Sequence, residues 1–167
     1  GVSVGYYQPL NLAHFDSQIQ PNTRLVWLEA AGSVSMEFPD LRALVQRCKD
    51  KGITCALDNT WGAGLAFNAF DLDGDGSYRL GVDVSAHALT KYPSGGGDVL
   101  MGSITSRDAA IHRRLQATHM HMGLGVGVND VETILRSLPS MSLRYHAHDA
   151  AARQLAEFME QQAAVVQ

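Results

Sequence analysis

The sequence has little cysteine, few aromatic side chains and no long apolar run. Its 167 residues include two cysteines, and aromatic residues make up 7% of the chain. Two cysteines, Cys48 and Cys55, are too few for the disulfide framework of a small secreted domain. No apolar run reaches the about 18 residues of a membrane-spanning helix, and no secretory signal is visible at the start. We therefore expect a cytoplasmic protein without membrane contact.

Positive charge is also scarce. The chain has 17 acidic and 13 basic side chains, which gives a formal net charge of −4. A nucleic-acid-binding surface is normally basic, so this balance argues against a nucleic-acid partner. The length suits one domain, and the hydrophobic share of 46% is enough to build a buried core. Composition leaves the function itself open.

Short apolar runs alternate with amphipathic segments, a pattern typical of an α/β fold with helices on both faces of a mostly parallel sheet. A nearly continuous apolar run such as 24–29 is expected of a parallel strand that is covered on both sides. The predicted strands are 2–7, 24–29, 53–57, 82–88 and 99–105. Four helices are predicted. The first begins at Pro39 and the second spans 107–119. The third runs from a cap at Asn129 or Asp130 to about Leu138, and the fourth spans 143–162.

Two charged side chains directly follow predicted strands, where open α/β sheets bind their ligands. Asp58 can pair there with a cationic ring nitrogen or a metal, although an Asp in this position also suits the cap of a turn. Lys91 has an amine that can act as a Schiff-base nucleophile, although most lysines are solvated surface charges. Thr90 and the backbone N–H groups of residues 94–97 are candidates for holding a phosphate beside that amine.

An acidic run resembles the start of a calcium-binding loop. Asp71, Asp73 and Asp75 alternate before Gly76, as oxygen ligands do in such loops. The twelfth position is Val82, where a bidentate Glu is needed. We interpret the run as a polar surface loop and predict no metal site. A calcium-binding or purely structural module is the alternative from a different functional class.

Several longer stretches together resemble the pyridoxal-phosphate-dependent enzymes of cysteine and methionine metabolism. Residues 23–37 read TRLVWLEAAGSVSME, close to the family pattern T-K-x-V-x-L-E-S-P-G-S-x-T-M-E. The other matching stretches are 57–61 (LDNTW), 83–85 (DVS), 88–92 (ALTKY), 97–102 (GDVLMG) and, more distantly, 135–148. They follow the family order over nearly the whole chain. The chain is therefore identified as a member of this family, most similar to cystathionine β-lyases.

The resemblance implies a three-layer α/β/α large domain like that of aspartate aminotransferase, and it assigns roles to four residues. Lys91 would carry the pyridoxal phosphate and move protons, and Asp58 would keep the ring nitrogen protonated. Thr90 would contact the phosphate. Ser33 would lie beside cofactor and substrate, where synthases and γ-lyases of the group usually have Asn. Ala88 departs from the pattern, because many relatives have a second phosphate-binding hydroxyl there.

The implied activity is a carbon–sulfur lyase that acts on a small sulfur amino acid. Cystathionine would be cleaved by β-elimination to homocysteine, pyruvate and ammonia, a step of methionine biosynthesis. The pair Gly32-Ser33 favours the β-lyase over the alternative, a cystathionine γ-synthase or γ-lyase.

The resemblance also implies that the chain is part of a longer protein. Residues 1–142 would be the central part of the cofactor-binding domain, and 143–167 a long helix that leads toward a C-terminal domain. A dimer or tetramer of identical subunits is expected. A fragment that folds without activity is a further alternative.

Overall fold

The computed structural model describes residues 1–165, which fold around a four-stranded sheet. The elements are α1 (Leu12–Gln18), β1 (Leu25–Glu29), α2 (Leu41–Asp50), β2 (Thr54–Asp58), β3 (Val84–Ala88), β4 (Gly102–Thr105), α3 (Ala109–His121) and α4 (Val128–Glu160). The strands lie in the order β1-β2-β3-β4. β1, β2 and β3 are parallel, and β4 pairs antiparallel with β3. The prediction of an α/β fold with a mostly parallel sheet is confirmed.

One face of the sheet carries the hydrophobic core. Side chains alternate between the two faces of a strand, and parallel register partners point to the same side. The residues that pack together on this side are Val26 and Leu28 of β1, Cys55 and Leu57 of β2, Phe15 of α1, and Leu44, Val45 and Cys48 of α2. α2 presents its apolar residues at helical spacing, and the Asp40 carboxylate caps its first turn by accepting from the N–H of Ala43.

The opposite face of the sheet is more open at its two edges. Leu25 and Trp27 of β1 are about half exposed, and so is Ile104 of β4. Between them, Ala56 of β2 and Val84 of β3 are buried. The carboxyl end of β2 on this same face carries Asp58, so the face also leads to the candidate active site.

The prediction of a strand at residues 2–7 is wrong. This segment forms no strand, and Val2, Val4 and Tyr6 are largely exposed. Tyr7 alone anchors the segment: its hydroxyl donates to the Trp27 carbonyl at 3.2 Å, and its ring meets the Phe15 ring edge-on at 5.0 Å. Burial raises the pKa of Tyr7 to about 12, with a smaller contribution from Cys48. The alternating apolar pattern imitates a strand, but no neighbouring strand pairs with it.

The helical second half also differs from the prediction. α4 runs without a break through Pro139, where the sequence pattern predicts an end near Leu138 and a new helix from residue 143. Its N-cap is Gly127 rather than Asn129 or Asp130. Proline removes one backbone hydrogen bond but does not always end a helix. The division into residues 1–142 and 143–167 falls inside α4 and stays a prediction.

Within residues 1–165, no helix combines the length and the apolar character needed to cross a lipid bilayer.

Candidate active site

Asp58 ends β2 at the carboxyl edge of the sheet, as the sequence predicts. Its side chain is half-buried, and one oxygen, Oδ1, accepts two hydrogen bonds from Thr60: 3.0 Å from the backbone N–H and 2.5 Å from the hydroxyl. The other oxygen, Oδ2, accepts no hydrogen bond from the residues that the structure describes. Asp58 therefore presents one fixed oxygen and one available oxygen.

Lys91 lies three residues beyond the end of the neighbouring strand β3. Its side chain is exposed, and Nζ sits 5.4 Å from the centre of the Trp61 ring, within the range of a cation–π contact. The indole N–H of Trp61 is buried and has no partner within the described part of the chain. Because β2 and β3 are adjacent and parallel, the segments that carry Asp58 and Lys91 leave the same edge of the sheet.

A tight loop follows Lys91 and is held by Ser94. The buried Ser94 hydroxyl donates to the Thr90 carbonyl at 2.9 Å and accepts from the N–H of Gly97 at 3.1 Å. The backbone N–H of Gly95 donates to the Lys91 carbonyl at 3.0 Å. The Thr90 hydroxyl itself makes no hydrogen bond with residues 1–165, so it stays available to a ligand.

Arg144 of α4 fastens this loop from outside the sheet. Its guanidinium donates to the Tyr92 carbonyl at 2.7 Å and to the Ser137 hydroxyl at 2.9 Å. The Tyr92 ring packs against Tyr145 and His148, with ring centres 5.0 and 5.6 Å away. α4 thus contacts the loop that carries Lys91 through one cation and a small aromatic cluster.

Ser33 lies just beyond β1, and its hydroxyl and backbone N–H both donate to the Glu29 carboxylate, the N–H at 3.2 Å. Glu29 is the register partner of Asp58, so Ser33 stands at the same edge of the sheet. Within the described residues the Ser33 side chain makes no hydrogen bond to Asp58, Thr90 or Lys91. Its predicted role beside cofactor and substrate stays a prediction.

His87 of β3 is a nearby titratable group that the sequence analysis does not single out. Its ring nitrogen Nε2 is hydrogen-bonded to the Ser85 hydroxyl at 3.1 Å. Burial lowers the pKa of His87, and the negative charge of Asp58 opposes this shift. The imidazole is therefore held toward its neutral form.

Roles for three further residues near the site, Thr60, Trp61 and Arg144, are not predicted from the sequence. Thr60 stands two residues after Asp58, a spacing that permits a local turn, and this was the available signal. Trp61 and Arg144 lie in stretches that match the family, but nothing local indicates their contacts, because their partners Lys91 and Tyr92 lie far along the chain.

The acidic run 71–76 is held by the protein's own groups. Asp71 Oδ2 accepts from the N–H of Gly76 at 2.9 Å, Asp73 pairs with Arg42, and Asp75 pairs with Arg79 at 3.7 Å. No group of three or more metal-ligating side chains assembles among residues 1–165. The structure therefore gives no support to the calcium-binding alternative.

Sequence comparison decides the family. A profile described as Cys/Met metabolism PLP-dependent enzyme matches residues 1–167. The chain belongs to this family. Pyridoxal phosphate is the cofactor of these enzymes, and the donor set fits it: an available carboxylate oxygen on Asp58, an exposed amine on Lys91 and an available hydroxyl on Thr90.

Individual relatives in the family have several activities. A cystathionine beta-lyase from Bordetella avium is 32% identical over 99% of this chain. A cystathionine gamma-lyase from Lactobacillus plantarum, crystallised with L-serine, has a similar fold, with a TM-score of 0.87, 21% identity and 98% of this chain covered. A cystathionine gamma synthase from Xanthomonas oryzae in complex with cystathionine has a TM-score of 0.81 and 28% identity over 96% of this chain.

These matches cover only part of each relative. The chain spans 39% of the Bordetella protein, 41% of the Lactobacillus chain and 40% of the Xanthomonas chain. The two solved structures share the fold of this chain, whereas the three printed names are those of a beta-lyase, a gamma-lyase and a gamma synthase.

Proposed function

We propose that the protein carrying this chain is a carbon–sulfur lyase that cleaves cystathionine by β-elimination. Cystathionine and water would give homocysteine, pyruvate and ammonia, a step toward methionine. The observation that carries the proposal is the pairing of Asp58, with its available Oδ2, and the exposed Lys91 amine at the ends of adjacent parallel strands. The 32% identity with a cystathionine beta-lyase supports the choice of substrate.

Bound pyridoxal phosphate supplies an electron sink for the electrons released when an amino acid loses its α-proton. Asp58 Oδ2 would hold the protonated ring nitrogen, and a charge-assisted hydrogen bond of this kind contributes about 1.5–3 kcal/mol. The Thr90 hydroxyl would hold the phosphate. The Lys91 amine would hold the cofactor, and as a base it would take the α-proton of the substrate and return a proton to a product.

The choice between β- and γ-elimination rests on Gly32-Ser33. The family resemblance places Asn at the position of Ser33 in synthases and γ-lyases. An exposed Ser whose hydroxyl is engaged by Glu29 offers a different set of hydrogen bonds to a substrate. A γ-acting enzyme is the second candidate, favoured by the 28% identity with a cystathionine gamma synthase.

Borohydride reduction in the presence of pyridoxal phosphate tests the role of Lys91. The chain contains three lysines, so peptide mapping identifies the reduced adduct directly. We expect the adduct on Lys91, its loss in Lys91→Ala, and no effect of Lys51→Ala, a matched change at an exposed lysine at the end of α2. An adduct that persists in Lys91→Ala contradicts the proposal.

The products then identify the reaction. Pyruvate together with homocysteine from cystathionine supports β-elimination, whereas 2-oxobutyrate supports the γ-acting alternative. Asp58→Asn should bind the cofactor but lose most of the rate, because a neutral amide does not hold the ring nitrogen protonated. Unchanged turnover in Asp58→Asn contradicts the role of Asp58. Assembly into homo-oligomers, expected from the resemblance, and a cytoplasmic location, expected from the composition, stay predictions.

A further inference from the structure

We infer that Thr60 is a positioning residue that holds the Asp58 carboxylate and ties it to the strand end leading to Lys91. The inference rests on the proposed function, since it concerns how the same two residues are held. It adds a third residue whose hydroxyl contacts both halves of the site.

The hydrogen bonds of Thr60 join two strands. Its hydroxyl donates to Asp58 Oδ1 at 2.5 Å and accepts from the backbone N–H of Ala88 at 2.8 Å. A hydroxyl has one proton, so accepting from an N–H directs that proton toward the carboxylate. Thr60 is 8% exposed, and water therefore competes little for either bond.

The contact with Ala88 is more than a local turn. The bond from the Thr60 N–H to Asp58 Oδ1 at 3.0 Å is an ordinary turn contact, in which an Asp side chain accepts from the backbone N–H two residues later. The bond to Ala88 crosses from β2 to β3 and joins residues 28 positions apart. A turn alone does not require this second bond.

The connection continues to Lys91. The Ala88 carbonyl accepts from the backbone N–H of Lys91 at 3.2 Å. One continuous set of hydrogen bonds therefore runs from the Asp58 carboxylate through Thr60 and Ala88 to the backbone of Lys91. Removing the Thr60 hydroxyl leaves Asp58 Oδ1 with the single hydrogen bond from the Thr60 N–H among the described residues, so the carboxylate is held less firmly and the strand end beside the amine is loosened.

Cofactor affinity tests the inference without relying on turnover. The dissociation constant for pyridoxal phosphate is measured by absorbance titration of the purified protein, and the melting temperature is measured without cofactor. We expect Thr60→Val to weaken binding about tenfold, because it removes a hydrogen bond to a charged group. Thr60→Ser keeps the hydroxyl and should stay within about twofold of the wild type.

Thr54→Val is the matched control. Thr54 lies at the other end of β2, and its hydroxyl makes no hydrogen bond within residues 1–165. This variant should bind the cofactor as the wild type does. In an Asp58→Asn background, Thr60→Val should weaken cofactor binding by clearly less than tenfold, because the effects of substitutions at two coupled residues are not additive.

The outcomes separate the inference from the proposed function. A wild-type protein that binds no pyridoxal phosphate overturns both. Normal binding by the wild type together with Thr60→Val within twofold of it overturns the role of Thr60 alone. If Thr60→Val does not fold, Thr60→Cys replaces it, since a thiol is a weak donor and acceptor of similar size. Thr60→Cys with full affinity then overturns the inference.

Discussion

Gly95 offers a sharp test of the contact between α4 and the loop after Lys91. Gly95 has a φ of +74°, and a Cβ built on it would lie 2.8 Å from Cζ of Arg144 and 2.9 Å from the Ser137 hydroxyl. Both neighbours are side-chain ends, so the protein can accommodate Gly95→Ala by moving them. That movement takes the Arg144 guanidinium away from the Tyr92 carbonyl, to which it donates at 2.7 Å.

Two costs add in Gly95→Ala. A left-handed φ costs a residue with a Cβ about 1–2 kcal/mol. The displaced guanidinium loses its hydrogen bond to the Tyr92 carbonyl, and one such bond to a charged group is worth about 1.5–3 kcal/mol. We therefore expect the free energy of unfolding to fall by about 2.5–5 kcal/mol. Gly52→Ala is the matched control: its φ is +63° with nothing within 4 Å, so it should cost only about 1–2 kcal/mol.

Urea denaturation of the purified variants measures these differences, provided that the slope with urea concentration is unchanged. Arg144→Ala should reduce the cost of a further Gly95→Ala to about that of Gly52→Ala, because Ser137 is then free to change rotamer. Equal losses in the free energy of unfolding for Gly95→Ala and Gly52→Ala refute the predicted displacement of Arg144. So does a cost at Gly95 that persists in full without Arg144.

Three other changes have clear expected outcomes. Gly81→Ala should lower the free energy of unfolding, measured by urea denaturation, by about 3 kcal/mol or more, because its Cβ would lie 2.2 Å from the Phe70 carbonyl oxygen. Gly125→Ala is the control, since a Cβ there has nothing within 4 Å. Equal stability of the two variants contradicts this packing. Pro139→Ala should raise the free energy of unfolding by up to about 3 kcal/mol, because it restores a backbone donor inside α4, and a loss of stability contradicts this. Burial lowers the pKa of His87 below its ordinary 6.5, so the unfolded chain binds a proton on this imidazole more readily than the folded chain does, and the free energy of unfolding should fall as the pH drops below 6.5. In His87→Gln this part of the pH dependence should disappear. An unchanged dependence of stability on pH in His87→Gln argues against this role of His87.

Three strands of the sheet, β1, β2 and β3, could be predicted because each lies in a short, mainly apolar run. The predicted segments 24–29, 53–57 and 82–88 overlap β1, β2 and β3. The same reasoning fails at residues 2–7, because alternation describes a strand only when a neighbour pairs with it. It also fails at Pro139, since a local helix-breaking preference is overridden along α4.

Only the residues of the candidate site that directly follow predicted strands could be predicted from the sequence. Asp58 and Lys91 stand at strand ends, and a parallel sheet brings such ends to one edge. The Thr60–Ala88 and Arg144–Tyr92 bonds join residues 28 and 52 positions apart, and no local pattern encodes such pairs. They become visible only when the register of β2 and β3 and the path of α4 are known.

The hydrogen bonds at Asp58 remove the symmetry of its carboxylate. In a free aspartate the two oxygens are equivalent, and a half-turn about the Cβ–Cγ bond changes nothing. Here both donors of Thr60 select Oδ1, which makes the two oxygens chemically distinct. A half-turn of this side chain must therefore break both hydrogen bonds before they re-form on the other oxygen, so the exchange of the two oxygens has a barrier that a free aspartate lacks.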